Sequence, residues 1–147
     1  MAEDEGGTSA LSTEECWEML RANDLGRLAF RLVDEVHITP INYAVDHRTL
    51  LFRTAEGNKL LSVVMGSEVA FEIDEHDDVS ARSVVVRGRP RLLDEDEAHR
   101  SENVPLRPWV GSLKYNVVEI VPATVTGRSF ALARPWTHMK TDSGSGS

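Results

Sequence analysis

From Arg27 to Leu32 every second residue is large and apolar: Leu28, Phe30 and Leu32 alternate with Arg27, Ala29 and Arg31. Period two with one apolar face is the pattern of a half-buried strand. Further apolar runs at 36–45, 50–54, 69–73, 82–93, 115–125 and 128–133 read as strands. Polar punctuation separates them: Asp34 and Glu35, Asp46 to Arg48, an acidic loop at 74–78, and a turn at Thr126 and Gly127. Pro40 cannot donate to a ladder, so it implies an edge, a bulge or a break in its strand. Gly88 and Pro90 bend the long run at 82–93.

Only one or two connections are long enough for a crossover helix, which argues against a doubly wound parallel sheet. About six mostly antiparallel strands in one small domain suggest a closed or nearly closed barrel, with a sandwich as the alternative. Helices are few. Ser12 followed by Glu15 has capping-box spacing, and Cys16, Trp17, Met19 and Leu20 then form a helical stripe ending near Asn23. A short helix opens after Glu56, Gly57 and Asn58. Another starts at Asp94, with Glu97 at cap spacing, and runs to about Ser101.

The chain has 147 residues, 41% hydrophobic and 27% charged, which fits one globular domain with a real core. Residues 1–10 are acidic and poor in large apolar groups, and 137–147 end in a Gly/Ser-rich run. The expected division is a flexible extension at 1–10, a folded domain at 11–136 and a flexible tail at 137–147. A formal net charge of −8 gives no pull toward nucleic acid or anionic lipid. No apolar run approaches the roughly 20 residues of a membrane helix, and the acidic start is unlike a signal peptide. The lone Cys16 excludes an intrachain disulfide and a cysteine-based zinc site, and suits a reducing cytoplasm.

Catalytic motifs are absent. The histidines, at 37, 47, 76, 99 and 138, have no metal-motif spacing, and there is no GxSxG, P-loop or GxGxxG. Cys16 sits among acidic residues that raise a thiol pKa. No catalytic side chain and no metal site are assigned. Three stretches carry binding potential. In LLFRTAEGNKLL (50–61) a strand delivers Arg53 and Thr54, Gly57 allows a tight turn, and a helix begins beside Lys59. That set of cations, hydroxyl and free amides suits a phosphate. It also reads as an edge-strand arginine with an ordinary loop glycine. In HITPINYAV (37–45) Asn42 is a polar residue in an apolar strand, able to pair with a polar ring edge or to face solvent. Arg87, Arg89 and Arg91 alternate along the third stretch and form either an anion-attracting or a solvated face. Trp109 and Trp136 fall in irregular segments, where ligand-stacking or interface roles compete with none.

Together, GRLAF (26–30), TPINYAVD (39–46), LLFRTAEGNKL (50–60), VAFEID (69–74), SVVVRGRPRLLD (83–94) and TGRSF (126–130) resemble the pyridoxamine 5′-phosphate oxidase-like proteins, over about residues 11–133. The resemblance implies a six-stranded antiparallel split β-barrel that forms a homodimer with FMN between its subunits. It places the cofactor phosphate at Arg53, Thr54 and Lys59 and the ring at Pro40, Ile41, Asn42 and Tyr43. Ser83 and Val84 lie near the ring, and Trp109 reaches over from the neighbouring subunit. The C-terminal Arg/His set that holds the substrate phosphate in true pyridoxamine phosphate oxidases has no match here, which argues against vitamin B6 oxidation. The implied function is an FMN-dependent oxidoreductase acting on a small organic molecule. The alternatives are a deazaflavin-dependent reductase, and a non-catalytic flavin- or haem-binding protein with His37 or another histidine as the iron ligand.

Overall fold

The structure is a computed structural model that describes residues 3–4, 8–58, 64–108, 111 and 114–132. Helix α1 (Thr13–Ala22) starts at the expected capping box: the Glu15 amide donates to Ser12 Oγ at 3.1 Å, and the Ser12 amide donates to Glu15 Oε1 at 2.8 Å. Its stripe of Cys16, Trp17, Met19 and Leu20 is buried. Asn23 closes the helix, and its side chain donates to Met19 O and to Glu75 Oε2, both at 2.9 Å.

The strands are β1 (Glu3–Asp4), β2 (Thr8–Ala10), β3 (Leu25–Leu32), β4 (Glu35–Asn42), β5 (Ala44–Asp46), β6 (Thr49–Ala55), β7 (Val69–His76), β8 (Ser80–Leu92) and β9 (Tyr115–Ala131). Helix α2 (Glu95–Ala98) and a 3₁₀ segment, His99–Asn103, follow β8. Every ladder is antiparallel. The barrel path runs β4-β3-β7-β8-β9-β6-β5. Because β4 and β5 follow one another through Tyr43, the two ends of that path meet through the chain rather than through a ladder. The mainly antiparallel split barrel is therefore present, with nine strands among the described residues instead of six. Six of the nine, β3, β4 and β6 to β9, have seven residues or more.

Four boundaries differ from expectation. Strand 36–45 breaks at Tyr43, not at Pro40. Pro40 sits opposite Arg27 on β4, an edge strand, where a missing amide is tolerated. The acidic stretch 74–78 is largely strand. Arg27 pairs with Glu72 and Asp74, and Arg82 with Glu75, so cross-strand ion pairs override the poor strand propensity of acidic residues. Gly127 makes no turn and lies inside β9, opposite Val84. A Cβ there would sit 2.7 Å from Cys16 Sγ and 3.0 Å from Leu11 Cδ1, so the glycine marks close approach of α1 to the sheet. Finally, the stretch expected as a loose N-terminal extension contributes β1 and β2, and β2 pairs with β9.

The core is built from α1 and the inner faces of the strands, with Leu20, Leu28, Leu50, Phe52, Phe71, Ile73, Val84, Val86 and Ile120 at its centre. A smaller cluster of Leu51, Leu93 and Val117 packs under the α2 segment together with Ala98 and Val104.

Candidate functional site

The second half of β4 and the end of β6 lie side by side and form one wall of a cleft of 540 Å³. Thr39, Pro40, Ile41 and Asn42 come from β4. Phe52, Arg53, Thr54 and Ala55 come from β6, with Asn58 beyond it. Gly57, at φ +81°, turns the chain after β6, and the Asn58 amide closes that turn on Ala55 O at 3.0 Å. The opposite wall is Leu106, Arg107 and Pro108. Among the described lining residues the only charged groups are the guanidiniums of Arg53 and Arg107. In a chain of net charge −8 this local sign is the electrostatic signature of the cleft.

Arg53 is held at both ends of its fork. Nη1 donates to Arg107 O at 3.0 Å, and Nη2 donates to Ser101 O at 3.1 Å and Ser101 Oγ at 3.2 Å. The guanidinium also lies 4.9 Å from the centre of the Tyr115 ring. Its Nε is buried and has no hydrogen-bond partner among the described residues. Thr54 is only 6% exposed, and its hydroxyl makes one long bond, to Ala55 O at 3.3 Å. A cation with a spare donor beside an under-used hydroxyl fits a phosphate.

The segment that leads into the far wall is tied down by ion pairs. Glu119, 3% exposed, accepts from Arg91 Nη2 at 2.8 Å and Arg100 Nη2 at 2.6 Å. Arg100 also donates to Asp46 at 2.7 Å, and Arg91 to Glu97 at 3.0 Å. Burial pushes the Glu119 carboxyl up, but its hydrogen bonds from Arg100, Arg91 and Thr49 outweigh that and hold it below the usual carboxylate value.

Of the residues read from the sequence, Pro40, Ile41, Asn42, Arg53 and Thr54 come together in the cleft. Tyr43 does not: it points into the core, donates to Leu20 O at 2.6 Å, and meets Phe71 edge-on at 4.8 Å. Burial first, then Asp24 and Glu75, pushes its phenol up. Val84 is a core residue, and Ser83 lines a separate hollow with Asp74 and Phe130. Lys59, Trp109 and Trp136 lie outside the described residues. The Leu106–Arg107–Pro108 wall was not read from the sequence; the flanking Pro105 and Pro108 were its only local signal. Cys16 is buried, and its thiol is pushed up by that burial and by Glu15. His37 stacks on Phe30 at 5.4 Å with Nε2 3.1 Å from Glu35 Oε1. Among the described residues no group of three or more His, Cys, Asp or Glu side chains could hold a metal. Nor is any described helix long and apolar enough to cross a membrane.

A small antiparallel split barrel with a cleft between the end of β4, the end of β6 and residues 106–108 is the arrangement in which the comparisons place the chain. Residues 12–129 match the family model described as pyridoxamine 5′-phosphate oxidase, and the chain belongs to that family. It is similar to the solved FAD binding protein of Mycobacterium smegmatis: 41% identity, TM-score 0.75, covering 83% of this chain and 99% of that one. A Corynebacterium glutamicum protein assigned to the pyridoxamine 5′-phosphate oxidases shows 43% identity and TM-score 0.75, covering 85% of this chain and 99% of that one. An uncharacterised protein of Mycobacterium tuberculosis (strain ATCC 25618 / H37Rv) is 45% identical over 87 residues, 58% of this chain and 79% of the relative.

Proposed function

We propose that the protein is a flavin-binding oxidoreductase of the reducing cytoplasm, acting on a small organic molecule. The observation that carries the reading is the cleft itself. Two guanidiniums and no carboxylate line its described part, with the hydroxyl of Thr54 beside Arg53. Arg53 and Thr54, with Lys59, hold the phosphate, while Pro40, Ile41 and Asn42 border the ring. FMN is the flavin that the family resemblance implies. The M. smegmatis relative, named for FAD, supports a flavin with an added adenylate equally well. A deazaflavin coenzyme presents the same ring and ribityl phosphate and is the competing reading.

When bound, the flavin supplies hydride or single-electron transfer. The chain supplies binding, orientation and exclusion of water, and no protein acid or base is assigned. The functional unit is a homodimer. Strand β4 ends the sheet path, and its outward residues Val36 and Ile38 are 71% and 67% exposed, next to Pro40 at the cleft. Exposed apolar residues in a row on a sheet edge mark a partner surface. Trp109 of the second subunit then completes each site.

An absorption spectrum of the purified protein, with mass analysis of the released ligand, tests the cofactor. A flavin mass identifies FMN or FAD, a deazaflavin mass selects the competing reading, and a Soret band or a colourless protein refutes both. Light scattering with flavin fluorescence across a dilution series tests the dimer. Flavin release that tracks dissociation supports the shared site, and a monomer that keeps full flavin sinks it.

A further inference from the structure

Arg107 stands on a ridge between two hollows. Its residue lines the cleft, yet its Nη2 reaches the other way, to Asp24 Oδ2 at 3.5 Å. Asp24 lines the neighbouring groove with Asn23, Tyr43 and Pro105. Both partners of this ion pair are more than half exposed, at 65% and 54%. Such a pair, long and solvated, is weak. The two backbones, by contrast, are fixed. Arg53 Nη1 donates to Arg107 O, and the Tyr43 amide donates to Asp24 O at 3.0 Å. The Arg107 side chain therefore has a firm root and a loose head.

Arg53 cannot supply a bidentate grip, because both of its Nη groups are engaged with residues 101 and 107. Its remaining donors are the second hydrogen of Nη1 and the buried Nε, which do not form a fork. The fork geometry that matches a phosphate is then available only from Arg107 among the described lining residues.

We propose that Arg107 is a phosphate ligand of the cleft that is held out of it by Asp24, so that Asp24 tunes affinity for the phosphate-bearing ligand from outside the site. This rests on the flavin reading for the identity of the ligand but not for its chemistry. On binding, the Asp24 pair opens and the guanidinium turns to the phosphate. The cost of opening is subtracted from the affinity, in the manner of any pre-existing equilibrium between a competent and an incompetent form.

The experiment is a double-mutant cycle on the full chain, reading flavin Kd by fluorescence quenching. Asp24→Asn keeps the loop backbone bond and removes the competing charge. It should tighten binding about two- to fivefold, the range set by an exposed ion pair. Arg107→Gln should weaken binding tenfold or more. In the Arg107→Gln background, Asp24→Asn should do nothing. A gain from Asp24→Asn that persists without Arg107 is a general field effect and overturns the proposal, as does an unchanged or weaker Kd in the Asp24→Asn protein. Titrations with FMN and FAD locate the contact: equal losses in Arg107→Gln put it at the phosphate next to the ribityl chain, and a loss confined to FAD puts it at the adenylate phosphate. Inorganic pyrophosphate, followed by calorimetry, repeats the cycle without the ring. Pyrophosphate binding that obeys the cycle in a protein that takes no flavin refutes the flavin reading alone. Flavin binding that ignores Arg107 refutes this inference alone.

Discussion

One wall of the cleft, residues 39–42 and 52–55, belongs to strands whose backbones are tied residue by residue to β3 and β9. The other, residues 106–108, follows a short helix and a 3₁₀ segment. Side chains hold it: Arg53 Nη1 on Arg107 O and the Arg107–Asp24 pair act on the wall directly, and the Arg91, Glu97, Arg100, Glu119 and Asp46 pairs tie down the segment that leads to it. A ladder shares its strain among many equivalent bonds and is indifferent to pH. A few ion pairs concentrate it and are sensitive to both charge and substitution. The cleft thus joins a fixed face to an adjustable one.

The comparison breaks most sharply at Glu119. Glu119→Gln leaves two arginines facing a neutral amide at a buried position, which should cost about 2–4 kcal/mol in denaturant unfolding. It should also open residues 94–108 to protease while the strand wall stays protected. Equal protection in both proteins would mean that the ion cluster does not hold that wall. Arg53→Lys is next. A lysine keeps the charge but cannot span Ser101 O and Arg107 O together, so a loss of about 1–2 kcal/mol is expected, again with faster amide exchange confined to the 3₁₀ segment and the far wall.

Acid should loosen one wall before the other. The folded Glu119 and Glu97 carboxyls lie below their ordinary values, Glu97 chiefly through its Arg91 hydrogen bond. A lowered folded pKa contributes stability that is complete above the unfolded value, about 4.3 for glutamate, and that is lost as pH falls through the folded one. Hydrogen exchange between pH 5 and pH 3 should therefore show residues 94–108 opening first, and Glu119→Gln should flatten that dependence. The smallest effect belongs to the ladder wall. Pro40→Ala, on an edge strand with an outward side chain, should change stability by no more than about 0.5 kcal/mol.

The strand wall was legible in the sequence because its signals are local. The residue run around Arg53 and Thr54, the Gly57 turn and the polar Asn42 in an apolar strand each sit within one element, while Pro40 and Ile41 came from the family resemblance. The far wall was not, because its position depends on partners such as Asp46 and Glu119, far away in sequence, and no spacing rule reports them. Tyr43 is instructive in the same way. Its aromatic ring reads equally as ligand contact or core until α1 is seen to lie over it, offering Leu20 O to its hydroxyl. Gly127 misled for a related reason. A glycine after a threonine signals a turn, whereas here it is the passing Cys16 side chain that excludes any Cβ.

Strand β9 also sets the order of events when the protein is made. It is the last described element, and it pairs with β2, β6 and β8, as far back as Ser9 opposite Ser129. A ribosome adding about 5–20 residues per second therefore exposes α1 and the β3–β4 hairpin for several seconds before their sheet can be completed. Such long sequence separations also make folding slow once the chain is whole. During that interval the apolar stripe of α1, which in the finished fold lies against Gly127 of β9, has no cover. The cell must keep nascent copies apart until the seventeen residues of β9 arrive.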